Sequence, residues 1–385
     1  MPKFTDSQEI NPVLYSSGQL NLTFIFTWWL VATNARNNNF QELEGVIKMI
    51  KQIRGKEWIS SVILGMLLVI LSCISLFVGV IDVTPQQLLG GDVQALELLL
   101  ISRLPRLLAI LCTGMGMSVA GLIMQQLCMN KFVSPTTGST LSAAKLGILI
   151  ALVFMPNSTL WDRALFSFVF ALLGTWVFVW FIQRIQFKDT IMVPLIGIMF
   201  GNIIGGVTSF MAYRYEMTQA LSSWETGHFS LVLRGRYEIV YLVAPLLVLA
   251  FIFSNHFNIV GMGKDFSQNL GVNYKLMLFM GLTVAAAITA SVVVVVGSVS
   301  YIGLIIPNLV TMFKGDKIRG TLVDTALAGA LYVLLCDVIA RVVIAPYELP
   351  IALISGIVGS IIFIANLFYR LKYGRKAVRL GGGKR

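Results

Sequence analysis

The sequence predicts an all-α, polytopic membrane protein of about ten transmembrane helices, and three observations predict it. Of the 385 residues 57% are hydrophobic and only 12% charged, where a soluble domain carries about 25% charged residues. Apolar runs recur roughly ten times, each near the ~20 residues needed to cross hydrocarbon. Basic residues collect in alternate connections between those runs, the pattern of cytoplasmic loops. A soluble core hides one or two long apolar runs, not such a series, so a bilayer is the solvent that fits this chain.

The elements follow in order. Residues 1–57 form a polar, Asn-rich extension whose one apolar patch, 20–32, is too short for a span. With only Lys3 for charge and no small-residue cleavage pattern after the patch, the extension reads as interfacial or disordered, not as a signal peptide. From Met49 the character changes, and Lys51, Arg54 and Lys56 lead straight into apolar sequence, so Met49 is an alternative native start. Spans are expected at 58–80, 104–127, 139–155, 164–182, 191–212, 239–255, 276–296, 299–313, 322–345 and 350–369. They form one ten-helix domain, 58–372, followed by a basic tail, 373–385. The second span opens with Pro105 in its first turn, where the missing N–H costs nothing. Gly114, Gly116, Ser118, Ala120 and Gly121 in that span, and Gly197, Gly201, Gly205 and Gly206 in the fifth, let helix backbones approach closely. The eighth is short, enters through Gly297, Ser298 and Gly303 and meets Pro307, so it is expected to be bent or only partly membrane-crossing. Such breaks at membrane depth are tolerated only beside protein or a water-filled path.

The formal charge of +11 is topological information. Its Lys and Arg are dispersed, not gathered on one face with interleaved aromatics, which argues against nucleic-acid binding. Lys131, Arg184 with Lys188, Lys264 with Lys275, Lys314 with Lys317 and Arg319, and the C-terminal Lys372, Arg375, Lys376 and Arg379 put both termini in the cytoplasm. Seven arginines then lie on the outer side: Arg103, Arg106, Arg163, Arg214, Arg234, Arg236 and Arg341. The four cysteines sit in apolar runs without paired short spacing, which indicates neither a disulfide framework nor a thiolate metal site.

Catalytic motifs are absent. The nearest approach to a phosphate-cradling loop, at Gly261, Gly263 and Lys264, has Asp265 where a hydroxyl is needed. Neither His228 nor His256 has a metal-ligating partner at i+4, so a zinc peptidase site is not written here, and no cofactor or metal is expected. Ionisable groups inside spans are few, and such groups are costly there and usually functional. Lys145 can snorkel, and Asp324 lies near a helix end, so both read as structural. Asp337 and Arg341 are four apart on one helix face, which fits either a local ion pair that lowers insertion cost or a functional pair. Arg103 and Arg106 flank Leu104 and Pro105 with both guanidinium groups expected to point outward, either snorkelling at the interface or offering a docking point for carboxylates of a soluble partner.

The combination of motifs resembles a known family. Arg103-Leu104-Pro105-Arg106 opening a Gly- and Ala-rich span that ends in Gln125-Gln126 is similar to the iron-siderophore and vitamin B12 (FecCD-type) permeases of ABC importers. Gly263 with Gly271-Val272-Asn273, Gly297 with Ile302-Gly303-Leu304 and Ile306-Pro307-Asn308, and Asp337, Ala340-Arg341 and Glu348-Leu349-Pro350 follow in the family's order. The resemblance covers residues 58–370. Asn130-Lys131 stands where Asn-Pro is usual, and Lys264 where an acidic residue is common.

The resemblance implies two inverted five-helix halves and pairing with a second, identical or homologous permease subunit. Two cytoplasmic ATPase subunits and an extracellular or periplasmic substrate-binding protein complete the assembly, in a bacterial plasma (inner) membrane. It also implies that Arg103, Arg106 and Arg341 receive acidic residues of the binding protein. Gly263, Lys264, Asp265, Phe266, Leu270 and Gly271 would couple to the ATPase, and Asn202 and Ser209 would line the translocation path. The wording at 130–137 and 144–147 is similar to the branch that carries catecholate ferric siderophores, with vitamin B12 or heme as alternative cargo. A stand-alone secondary carrier or channel is the competing reading.

Overall fold

The computed structural model describes residues 57–79, 86–87, 90, 92–137, 139–184, 192–230, 232–233, 235, 237–315, 317–344 and 347–381. The N-terminal extension, with the apolar patch and Met49, lies outside the described residues, as do Lys51, Arg54, Lys56, Lys188, Arg234 and Arg236.

In hydrocarbon every backbone N–H and C=O must be satisfied within the chain, and an apolar run achieves that as a helix. The described residues are accordingly helical over most of each expected span. The helices are α1 (Glu57–Phe77), α2 (Val93–Leu98), α3 (Leu104–Leu127), α4 (Thr140–Phe154), α5 (Leu160–Arg184), α6 (Met192–Arg214) and α7 (Thr218–Glu225). They continue as α8 (Val243–Val260), α9 (Lys264–Asn269), α10 (Tyr274–Val296), α11 (Ile302–Lys314), α12 (Ile318–Val342) and α13 (Ile351–Gly381). Among the described residues, eight helical segments are long and apolar enough to span a membrane; α4 and α11 are shorter apolar helices. These ten correspond one to one with the ten expected spans. The last runs on as helix to Gly381, through sequence read as tail.

Two features were not foreseen. The second span does not begin at Leu104: α2 and a π turn, Leu99–Arg103, join α3 into one apolar stretch, Val93–Leu127. Pro105 follows that widened turn, where a missing N–H interrupts a ladder already shifted out of α register. The second is α7, a short helix too polar to stand out by hydropathy.

The bundle is built around α3. The most apolar window of Val93–Leu127 is 83% buried, against 17% for α1 and for α6, so α3 is a central post and the other two lie at the periphery. Helices α12, α10, α11 and α8 pack around it. Two crossings set the spacing. A Cβ on Gly114 would fall on the backbone at Gly329 and Ala330 of α12, and one on Gly121 would fall on the carbonyl of Gly303 at the start of α11. Only backbone fits at either place, which is the close-approach packing the small residues implied.

Helix α11 is the short eighth span, and residues 302–311 are all buried. Pro307 has no N–H to give the Gly303 carbonyl four residues earlier. Gln125 supplies the missing donor. Its Nε2 donates to the carbonyls of Gly303 and Leu304 at 3.3 and 3.2 Å. Asn308 Nδ2 donates to Leu304 O at 2.8 Å and to Lys131 O at 2.6 Å, tying the helix to the turn after α3. The broken span is thus enclosed and satisfied by protein, the condition under which such backbone is tolerated at membrane depth.

Candidate functional site

Two ends of the bundle carry the candidate residues. At one end, the π turn and the first turn of α3 bring Arg103 and Arg106 beside the C-terminal turns of α1 and α12. Arg106 Nε and Nη2 both donate to Oδ1 of Asp337, at 3.2 and 2.8 Å. Its Nη1 donates to both carboxylate oxygens of Glu348, at 2.8 and 2.9 Å. Arg341 Nη2 lies 2.6 Å from the other oxygen of Asp337 and donates to Ser75 Oγ at 2.6 Å. Its Nη1 donates to the carbonyls of Ser75, in the last turn of α1, and of Val78, just beyond it. Arg103 donates to the carbonyl of Leu76.

Two guanidinium groups and two carboxylates therefore form a charge-balanced network joining α1, α3, α12 and the approach to α13. The expected outward direction of Arg106 is corrected by this geometry. Asp337 is 1% exposed, and a carboxylate buried to that extent needs cationic donors, so Arg106 turns inward to supply one. Arg341, 7% exposed, makes the local i,i+4 ion pair that its spacing allowed. The residues of this end line a cavity of about 140 Å³ that includes Arg103, Arg106, Arg341 and Glu348.

At the opposite end, α9 is a short helix in the connection between α8 and α10. Gly263 and Gly271 bracket it with φ of +109° and +74°, backbone that L side chains rarely adopt. Ser267, buried, fixes α9 from inside by donating to Gly263 O at 2.7 Å and Ile259 O at 3.1 Å. Asn273 caps α10 by accepting from Leu276 N. Lys264, Asp265, Phe266 and Leu270 are left on the surface, with Phe266 47% and Leu270 55% exposed. Lys264, Gln268, Gly271, Asn273 and Lys275 border a cavity of about 430 Å³. The arrangement is a rigidly held knob with apolar tips and basic flanks.

Asn202 and Ser209 are seven residues apart on α6, and both are exposed. Between them, a Cβ on Gly205 or Gly206 would meet nothing within 4 Å. This is a polar, small-residue strip on the outside of the chain within a helix long and apolar enough to span.

Sequence reasoning missed the partners of these groups more than the groups themselves. Glu348 was noted as motif only; its pairing with Arg106 links positions 242 apart and no local periodicity announces it. Ser75 and Ser61 carried no signal. Ser61 Oγ donates to Asp324 Oδ1 at 2.6 Å, and Lys314 pairs with the same carboxylate, so the structural role read for Asp324 has specific partners. Lys145 is half-buried on α4. No group of three His, Cys, Asp or Glu side chains among the described residues is placed to hold a metal ion.

Comparison with known proteins agrees with this architecture. The petrobactin import permease YclN of Bacillus subtilis is 46% identical over 310 residues, covering 80% of this chain and 98% of the relative. The ferric-anguibactin permease FatD of Vibrio anguillarum is 39% identical over 269 residues, 70% of this chain and 86% of its own length. A solved structure described as an inward-facing, metal-chelate type ABC transporter superposes with a TM-score of 0.70 at 25% identity, covering 80% of this chain and 98% of that one. The model of the FecCD transport family matches residues 67–369, the same ten-span bundle that carries the arginine network and the α9 knob, and the chain belongs to that family.

Proposed function

We propose that the chain is the membrane-spanning permease subunit of an ABC importer for ferric siderophores. It passes cargo delivered by an external binding protein, with ATP hydrolysed on separate subunits. The observation that carries the reading is the 46% identity to a petrobactin permease over 98% of that protein's length. The family match supports a transport role without catalysis in this chain. Catecholate-type ferric chelates are the first cargo to test.

Both termini are cytoplasmic in this reading, the arginine end faces outward, and α9 faces the ATPase. Arg103 and Arg106 offer the docking point for carboxylates, while Arg341 holds Asp337 and so positions Arg106. Gly263, Lys264, Asp265, Phe266, Leu270 and Gly271 form the coupling surface, its apolar tips Phe266 and Leu270 suited to a protein groove. The strip at Asn202 and Ser209 lines the path against a second, identical or homologous permease subunit. A polar strip left in lipid would stay unsatisfied, whereas a path or a partner satisfies it.

The test is reconstitution. Proteoliposomes holding the permease, the ATPase and the binding protein of the same uptake system are expected to accumulate radiolabelled ferric petrobactin only with ATP. Accumulation by the permease alone on an ion gradient would replace this reading with a stand-alone carrier.

A further inference from the structure

Within the arginine network the Arg106–Glu348 contact differs from the others. The side chains of Asp337 and Arg341 are 1% and 4% exposed, whereas those of Arg106 and Glu348 keep 14% and 21%. Glu348 grips a single nitrogen of Arg106 with both of its oxygens. That is a looser geometry than the parallel two-nitrogen fork in which guanidinium and carboxylate match best. Asp337, by contrast, takes the other two nitrogens and is buried. Glu348 is the exchangeable member. It also stands three residues ahead of Ile351, the first residue of α13, and its neighbour Leu349 is tied to α12 by a hydrogen bond to Ala340 O at 3.1 Å.

Charge balance decides what an incoming carboxylate meets. With Glu348 in place Arg106 and Arg341 are already neutralised by two acids, so at Arg106 a third carboxylate gains little attraction and is repelled by Glu348 itself, and only Arg103 of the same cavity adds positive charge. With Glu348 withdrawn, Arg106 Nη1 is open at the wall of the 140 Å³ cavity. Resting on the docking reading above, we propose that Glu348 is an internal stand-in for a carboxylate of the external binding protein. It occupies Arg106 in the undocked chain and is displaced by docking, which frees the entry of α13 at the moment cargo arrives. Glu348 thereby opposes binding of the partner and helps its release.

The experiment measures affinity of the complete transporter in nanodiscs for the binding protein of the same uptake system. Glu348→Gln, which keeps the shape and removes the charge, is expected to tighten docking about fivefold, as loss of one competing charge-assisted contact allows. Glu348→Asp, one methylene shorter, should tighten it less. The gain should vanish in an Arg106→Gln background, where nothing remains to compete for. A spin label at Tyr347→Cys, 75% exposed in the wild type, should gain mobility on docking and show that mobility without partner in Glu348→Gln. Unchanged or weaker docking in Glu348→Gln, with wild-type docking intact and thermal stability retained, would overturn the stand-in role alone. Wild-type docking insensitive to Arg103→Glu and Arg106→Gln would instead remove the docking reading, and the stand-in role with it.

Discussion

Asp337→Ala tests whether the arginine network stabilises the fold by charge pairing. In the wild type Asp337 accepts from two nitrogens of Arg106 and lies 2.6 Å from a nitrogen of Arg341, at 1% exposure. Removing one partner of a buried ion pair costs about 3–5 kcal/mol, because the remaining charge stays buried. The structure narrows that range. Arg106 keeps Glu348, and Arg341 keeps the Ser75 hydroxyl and the carbonyls of Ser75 and Val78, so the loss should fall near the low end, about 3 kcal/mol. Asp337→Asn should lose less, since it keeps an acceptor. The double variant Asp337→Leu/Arg341→Leu removes both charges of the i,i+4 pair and should cost less than the sum of the single changes, with a coupling of about 1–3 kcal/mol. The assay is reversible unfolding in mixed micelles, reported by the exposure of Cys336, buried one residue away, to a thiol reagent. A loss below about 1 kcal/mol for Asp337→Ala, or strict additivity in the double variant, would refute the reasoning and make the network no more than a surface-type pair.

Three further outcomes follow from particular contacts. Gln125→Leu removes the donor that replaces the missing N–H of Pro307 and leaves a buried carbonyl unsatisfied, at about 1–3 kcal/mol; thermal unfolding checks it, and a Pro307→Ala change in the same chain should recover part of the loss. Phe266→Ser together with Leu270→Ser, both exposed on α9, should leave stability within about 0.5 kcal/mol while lowering recovery of the ATPase in pull-down by tenfold or more. A cysteine at Ser209, in a background lacking the native cysteines, should react with a membrane-impermeant maleimide in the intact transporter, and one at the apolar, exposed Ile203 of the same helix should not.

The ten spans were legible because hydropathy and length are local properties, and backbone satisfaction in lipid leaves helix as the only outcome for such runs. Boundaries held best where a glycine punctuates the chain, as at Gly297, and slipped where helix continues past the expected end, as before Pro105 and beyond 369. The π turn before α3 was not legible, since a one-residue widening of a helix has no compositional mark. Among site residues, the i,i+4 spacing of Asp337 and Arg341 announced their pairing. Nothing announced that Arg106 completes it from α3, because side-chain direction across 231 positions of chain is set by packing. The same holds for Gln125: the motif drew attention to it, and only the geometry shows that it answers Pro307.

The polar contacts that sequence could not show share a pattern with mechanical content. Helix α12 is tied to α1 near both of its ends, through Asp324 with Ser61 and through Arg341 with Ser75. Between them α12 crosses α3 at Gly329, where backbone meets backbone at Gly114. Sliding α12 by one helical turn, about 5.4 Å, would break both anchors and drive Cα atoms through that crossing. These contacts predict that α1, α3 and α12 move as one block, so that a displacement at the arginine end would be carried to the Asp324 end as a rigid-body movement. Relative motion during a transport cycle would then fall to an element with fewer such ties, α6, whose polar strip faces away from the bundle. Removing the anchors should uncouple the block. Ser61→Ala with Ser75→Ala is expected to lower uptake more than either change alone, while each single variant stays within about 1–2 kcal/mol of wild-type stability; equal uptake in the double variant would show that the block is not what transmits the movement.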